Sequence, residues 1–310
     1  SQLRSQARIT TQRKFNRVSE DSINGSKAIT IRRQLRDLDI YEDNLTTSKE
    51  IFASAESNLY SIAGDVYCTI EQKLVAASNG TYDTLDRNIF ATELEELANQ
   101  MIDTMNSDFA ERQLFGGTSN GSTPFAGEEG DDGKKYVTYN GVRVNDEADP
   151  DNFPGSNPIY VDIGLGVKYN ENYEIDPQTA MDISLNGAEI IGCGTGEGGY
   201  SNNLIQLVYD AAYALRTGDM ETVNGVIDAA NTANNHILTE IARLGTKQNS
   251  IDFYLTKTDD YRYSLQERQN LVEGTDMEAE IINYEAVKAA YDATLQIGAN
   301  LLPHSIFDFI

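Results

Sequence analysis

Gly194-Thr195-Gly196-Glu197-Gly198-Gly199 is the one run in this 310-residue chain with a cofactor-binding spacing, G-x-G-x-x-G. In dinucleotide-binding folds such glycines let backbone amides approach a pyrophosphate at the start of a helix. The local order fits, because the apolar pair Ile190-Ile191 reads as the end of a strand and a helix is expected from about Asn203 to Leu215. Three features oppose it. No parallel-strand pattern follows the helix, so no βαβ unit closes. Glu197 would set a negative charge beside the phosphates. The preceding strand reads as part of an antiparallel module. The run is better explained as a connection returning the chain to a helical frame.

The metal-binding and nucleophilic residue types are equally sparse. Cys68, Cys193, His236 and His304 are the only cysteines and histidines, and their spacings match no zinc motif. Neither histidine has a nearby serine–acid arrangement that would make it a catalytic base, and His236 reads as a surface or edge residue. No disulfide between Cys68 and Cys193 follows from their spacing. Fourteen acids against four bases crowd residues 128–189. Even there, Gly130-Asp131-Asp132-Gly133 lacks the alternating oxygen ligands of a calcium loop, and a solvated acidic face is expected. The chemistry-bearing residues point away from an enzyme and call for no cofactor or metal.

Charge narrows the partners. The net charge is −25, which argues against nucleic acid and against anionic membrane, since both demand a surplus of lysine and arginine. No apolar run reaches transmembrane length, and the first twenty residues lack the apolar stretch of a cleavable signal peptide. The distribution is uneven: residues 1–40 carry nine Lys/Arg and four acids, a net of +5 that leaves −30 on the rest. A basic end on an acidic body suits electrostatic pairing between copies.

The elements that would position these groups follow from helix breakers and periodicity. Five of six prolines lie between 124 and 177, and sixteen of 24 glycines between 116 and 199. The flanks are free of proline across 20–110 and 201–301. A loop-rich β module set into a long helical frame is therefore expected. Ile31, Leu38, Leu45, Phe52, Leu59 and Val66 recur every seven residues, the seam of a long helix packed on a partner helix. Ser19-Glu20-Asp21-Ser22 supplies its N-terminal cap. In the C-terminal flank the steps of four and three pass through Ile237, Ile241, Leu244, Ile251, Leu255 and Leu265, with Asn234, Gln248, Arg262 and Gln269 as polar interruptions that set register. A shorter helix is expected after the Ser78-Asn79-Gly80 break. In the middle, Tyr136–Tyr139 and Val142–Val144 flank Asn140-Gly141 as a β-hairpin; Ile159–Ile163 and Ile183–Leu185 read as further strands.

The expected fold is mainly α with an inserted β module (α+β): an elongated antiparallel helical bundle or coiled coil of N- and C-terminal segments, with a small antiparallel β-rich domain at one end. Its parts are 1–117 and 201–277 as the two halves of a helical rod, 118–200 as an acidic β-rich insert, and 278–310 as a terminal helix and tail. That terminal helix spaces Ile282, Ile297 and Leu301 among alanines, and the last residues add Ile306, Phe307, Phe309 and Ile310. Burying each apolar side chain is worth about 1.5–3 kcal/mol. Tyr291, Leu295, Leu301, Ile306, Phe307, Phe309 and Ile310 are therefore the candidate subunit-assembly residues.

Several motifs carry a family resemblance. Phe15-Asn16-Arg17-Val18-Ser19-Glu20-Asp21-Ser22-Ile23, opening the heptad helix, resembles the N-terminal segment of the bacterial flagellin family, and within it the hook–filament junction proteins. Those usually carry prolines near Val18 and Ser22 and aspartate at Glu20. Ser78-Asn79-Gly80-Thr81, Phe115-Gly116-Gly117-Thr118, Pro124-Phe125, Tyr291–Leu295 and the ending Ser305–Ile310 are also similar to the family. The likeness covers roughly 10–118 and 203–310, and the family's extreme N-terminal helix is expected to be missing. The resemblance implies a non-enzymatic component of the bacterial flagellum. It would be exported by the flagellar type III apparatus without a cleaved signal peptide, guarded by a cytoplasmic export chaperone. Outside the cell it would form a ring with copies of itself, between a preceding hook-associated junction protein and flagellin. A filament flagellin, or a secreted helical adhesin or binding module using 118–200, are the alternatives.

Overall fold

The computed structural model describes residues 2–78, 82–110, 112–119 and 123–301. Its helices are α1 (Gln2–Thr11), α2 (Ser22–Tyr60), a π-helical stretch (Ser61–Val66), α3 (Tyr67–Ser78), α4 (Thr84–Met105), α5 (Gly187–Ile191), α6 (Leu204–Thr217), α7 (Met220–Glu273) and α8 (Met277–Leu301). Its strands are β1 (Asp108–Phe109), β2 (Arg112–Gln113), β3 (Phe125–Glu129), β4 (Lys135–Tyr139), β5 (Val142–Arg143), β6 (Tyr160–Val161) and β7 (Met181–Asp182). They form three small antiparallel sheets, β1-β2, β3-β4-β5 and β6-β7. This is the helical α+β class expected from the sequence. The chain divides into two compact units, Ser1–Ile40 with Lys257–Ile310, and Tyr41–Thr256.

Short polar side chains start the helices. Asp21 accepts the Asn24 amide at 3.0 Å as α2 opens. Asp83 accepts the amides of Leu85 and Asp86 for α4, and Asn203 accepts that of Gln206 for α6. Each oxygen satisfies a donor that lacks a partner in the first turn. Gly218 ends α6 in the left-handed conformation, φ 80°, which costs a residue without a Cβ nothing.

In the larger unit, the seam residues Leu45, Phe52, Leu59 and Val66 are buried with Ile237, Ile241, Leu244 and Ile251, while Leu255 is half-buried against the same core. Leu94, Met101 and Met105 of α4 and most of α6 complete it. After Val66 the buried positions run Ile70, Leu74 and Ala77. These steps of four, four and three break the seven-residue repeat as the π-helical stretch ends, a change of phase that periodicity alone did not signal.

The middle segment packs onto α4 and α6. The Asn140-Gly141 hairpin forms, with φ of 49° and 85° at its two turn residues, as a tight two-residue turn requires. β3 is an addition that the sequence reading did not assign. Buried Gln206 ties α6 to β4, accepting the Val137 amide at 2.8 Å and donating to the Lys135 carbonyl at 3.1 Å. The buried Tyr139 hydroxyl donates to the Phe115 carbonyl at 3.0 Å and accepts the Gly187 amide at 3.1 Å. Ile190-Ile191, expected as strand, is helical in α5, because Asn186 caps the turn at the Ala188 amide. A two-residue apolar pair carries no period to distinguish the two. The strand expected at Ile159–Ile163 shortens to β6; that expected at Ile183–Leu185 does not form, and β6 pairs instead with β7 just before it, Tyr160 opposite Asp182.

The smaller unit buries Phe15, Ala28, Ile31 and Leu38 of the N-terminal segment and Leu265 of α7. Helix α1 packs against α8 here, an element that the sequence reading did not assign.

Candidate assembly surface

The acidic residues of the α7–α8 junction organise the surface around the terminal helices. Glu273 is buried and pairs with Arg32 at 2.6 Å and Arg13 at 3.4 Å. Its carbonyl accepts the Lys14 amide at 2.7 Å, and the Thr275 amide donates to the Gln12 carbonyl at 3.1 Å. One turn into α8, Glu280 accepts the Ser5 hydroxyl and lies 3.7 Å from Arg8. Asn283 donates to the Ser5 oxygen at 3.3 Å. Part of the positive excess of residues 1–40 is therefore neutralised within the chain. Arg4, Lys14, Arg17, Lys27, Arg33 and Arg36 stay exposed.

These contacts hold one side of α8 and leave the other to solvent. Ile281, Ile282, Tyr291, Leu295 and Ile297 are all exposed, Ile282 at 69% and Leu295 at 56%. On α1, Leu3 is 78% exposed. The α8 groups do not form a single stripe: at about 100° per residue Tyr291 falls on the side of Glu280 and Ile282 stands about 140° from Leu295, so α8 offers exposed apolar groups around its circumference. Of the expected assembly residues, Tyr291 and Leu295 sit on this helix. The side chain of Leu301, and Ile306, Phe307, Phe309 and Ile310, lie outside the described residues. Ile281 on α8 and Leu3 on α1 are further exposed apolar groups.

The seam residues are placed as follows. Ile31, Leu38 and Leu265 are buried in the smaller unit; Leu45, Phe52, Leu59, Val66, Ile237, Ile241, Leu244 and Ile251 in the larger; Leu255 is half-buried. Two of the four polar interruptions take partners: Gln248 donates to Glu56 at 2.5 Å and Arg262 pairs with Asp39 at 3.1 Å.

The glycine run at 194–199 builds a turn. Gly194 donates its amide to the Val144 carbonyl at 2.7 Å, Gly196 to Tyr200 at 2.8 Å and Gly199 to Gly196 at 3.2 Å. The amides of the three motif glycines are thus already committed rather than free to cradle a phosphate. A Cβ on Gly194 would lie 2.9 Å from the Ala148 Cα, so close backbone approach accounts for this glycine. Beside the turn, a cavity of about 620 Å³ is lined in part by Cys193, Glu189 and His236. The Cys193 thiol donates to the Ala148 carbonyl at 3.6 Å. Burial, reinforced by Asp149 and Glu147, pushes it up to about 11, so it is a protonated thiol at neutral pH and a poor nucleophile. His236 is exposed, its Nε2 2.7 Å from the Glu189 carbonyl. Among the described residues, no helix is long and apolar enough to cross a membrane.

The N-terminal motifs find their counterpart in a family model, bacterial flagellin N-terminal helical region, which matches residues 2–120. Residues 2–120 are thus similar to a flagellin-type helical region. The resemblance drawn from Phe15–Ile23 and Phe115–Thr118 is thereby borne out. The matched region takes in α1, α2, the π-helical stretch, α3, α4 and the β1-β2 hairpin. Over 317 aligned residues the chain is 23% identical to flagellar hook-associated protein 3 of Escherichia coli, covering 96% of this chain and 90% of that protein. Solved structures share the fold. A flagellar hook-associated protein from Vibrio parahaemolyticus superposes with a TM-score of 0.64 at 16% identity, over 82% of this chain and 99% of that one. FlgL of Xanthomonas campestris gives 0.56 at 16% identity, over 76% and 98%. FlgL of Bacillus cereus gives 0.53 at 17%, over 77% and 98%.

Proposed function

We propose that this chain is a structural, non-enzymatic component of the bacterial flagellum, a hook–filament junction protein that adapts hook to filament by helical packing. The observation that carries the reading is the near end-to-end correspondence with a hook-associated protein, 96% of this chain, on top of a flagellin-type N-terminal region. Junction chains need no active site. They need long helices for axial packing and terminal apolar groups that find their partner only in the assembly, and α8 carries exposed ones. The partners are copies of itself in a ring, a preceding hook-associated junction protein on one side and flagellin on the other. The route is flagellar type III export, with a cytoplasmic chaperone covering the apolar C-terminal region beforehand.

Deleting the gene in its host tests the reading. The expected result is completed hooks without filaments and monomeric flagellin shed into the medium. Loss of the filament with no shed flagellin would assign the chain to the filament itself. Intact motility would refute both.

A further inference from the structure

We propose that the groove between the start of α2 and the end of α7 receives the outward face of α8 from a second copy of this chain, an inference that rests on the assembly reading above. The groove measures about 440 Å³ and is lined by Lys27, Ile31, Arg268, Leu271 and Val272, among others. Leu271 is 73% exposed on its wall. Lys27 and Arg268 are exposed, and the Lys14 ammonium lies 3.5 Å from the Leu271 carbonyl. A base-rimmed apolar groove on a chain of net charge −25 selects an acidic, amphipathic occupant.

Helix α8 has that character. Glu278, Glu285 and Asp292 recur at seven-residue spacing, all exposed, with Ile282 and Ala289 between them. This row lies on the side away from α1, since Glu280 and Asn283 hydrogen-bond α1 and Tyr284 and Val287 are half-buried along that same side. At 1.5 Å per residue the three acids are spaced about 10.5 Å apart along one side of the helix. Acidic face and basic groove are different patches of one chain. Their pairing is head-to-tail, the arrangement that builds rings or helical arrays rather than closed dimers.

The test uses the full chain in its host. In a C68S background, S26C on the groove and A289C on α8 are combined, and isolated flagella are oxidised and resolved by denaturing electrophoresis. A ladder of covalent dimers and higher multimers is expected, absent from either single-cysteine chain. Flagella that assemble normally without a ladder would overturn the docking while leaving the junction reading intact. Covalent linkage of the S26C thiol to a different flagellar protein would also overturn it, since the occupant would not be a second copy. Absence of the chain from flagella would overturn both. Separately, K27E/R268E should lower flagellar number at least tenfold, with E285K/D292K in the same chain restoring it. If circular dichroism shows K27E/R268E unfolded, K27Q/R268Q replaces it, and normal flagellation by either folded variant would count against the proposal.

Discussion

Two thiols on one chain differ because of where each side chain lies. Cys68 is exposed on α3 and accepts a hydrogen bond from Gln72 at 3.4 Å, whereas Cys193 is buried and held up to about 11. A thiol-reactive dye at pH 8 should therefore titrate one thiol per native chain quickly and the second only in denaturant. The C68S chain should show no fast reaction; a fast one there would contradict the placement of Cys193. Asp210 offers a pH test. Burial raises its pKa, opposed by the Gln206 amide, which donates to it at 3.0 Å, and by Lys134. A carboxyl raised in the fold favours the native state while protonated and works against it once ionised. Its contribution is thus present below the ordinary carboxylate range and is lost as pH rises through the raised value. D210N should melt higher than the parent at pH 7, and the difference should shrink toward zero near pH 3. A difference independent of pH would show that charge is not the cause.

At the scale of elements, the two C-terminal leucines separate a full seam position from a marginal one. Leu265 is 1% exposed, and an unpaired aspartate there should cost about 3–5 kcal/mol. Leu255 is only half-buried, so L255D should cost clearly less. Denaturant midpoints measure both, and unchanged midpoints in the pair would refute the seam. The seam itself was legible because a helix repeats its surface every few residues, so burial writes a period into the residue order. The π-helical stretch and β3 were not. The first keeps apolar residues on a buried face while altering the backbone beneath them. β3 reads Phe-Ala-Gly-Glu-Glu, and only Phe125 is buried, so it lacks the alternation that marks a strand and exists because β4 pairs with it.

For the molecule as a whole, the decisive quantity is how charge and apolar surface are shared between the terminal segments. Arg8, Arg13 and Arg32 are drawn into contacts with Glu280 and Glu273, and what remains exposed is a smaller basic surface beside an acidic, apolar α8. Deleting Ser305–Ile310 should leave far-UV circular dichroism unchanged while sharply reducing incorporation into flagella. Loss of helicity would mean that these residues serve the chain's own core. Since exposed charges are screened over roughly 10 Å at 0.1 M salt, association through α8 should also weaken as ionic strength rises.

Local order in the sequence determined the long helices, their buried stripe, the Asn140-Gly141 turn and the N-terminal likeness to flagellins, because each depends on residues a few positions apart. Tertiary structure alone decided that Glu273 and Glu280 are buried acids. Their partners Arg32 and Ser5 stand 241 and 275 positions away, and no period links groups that meet only when the two ends of the chain fold together. It also decided that the G-x-G-x-x-G amides serve a turn, since a hydrogen bond to Val144 or Tyr200 depends on where the backbone returns and not on which residues spell the motif.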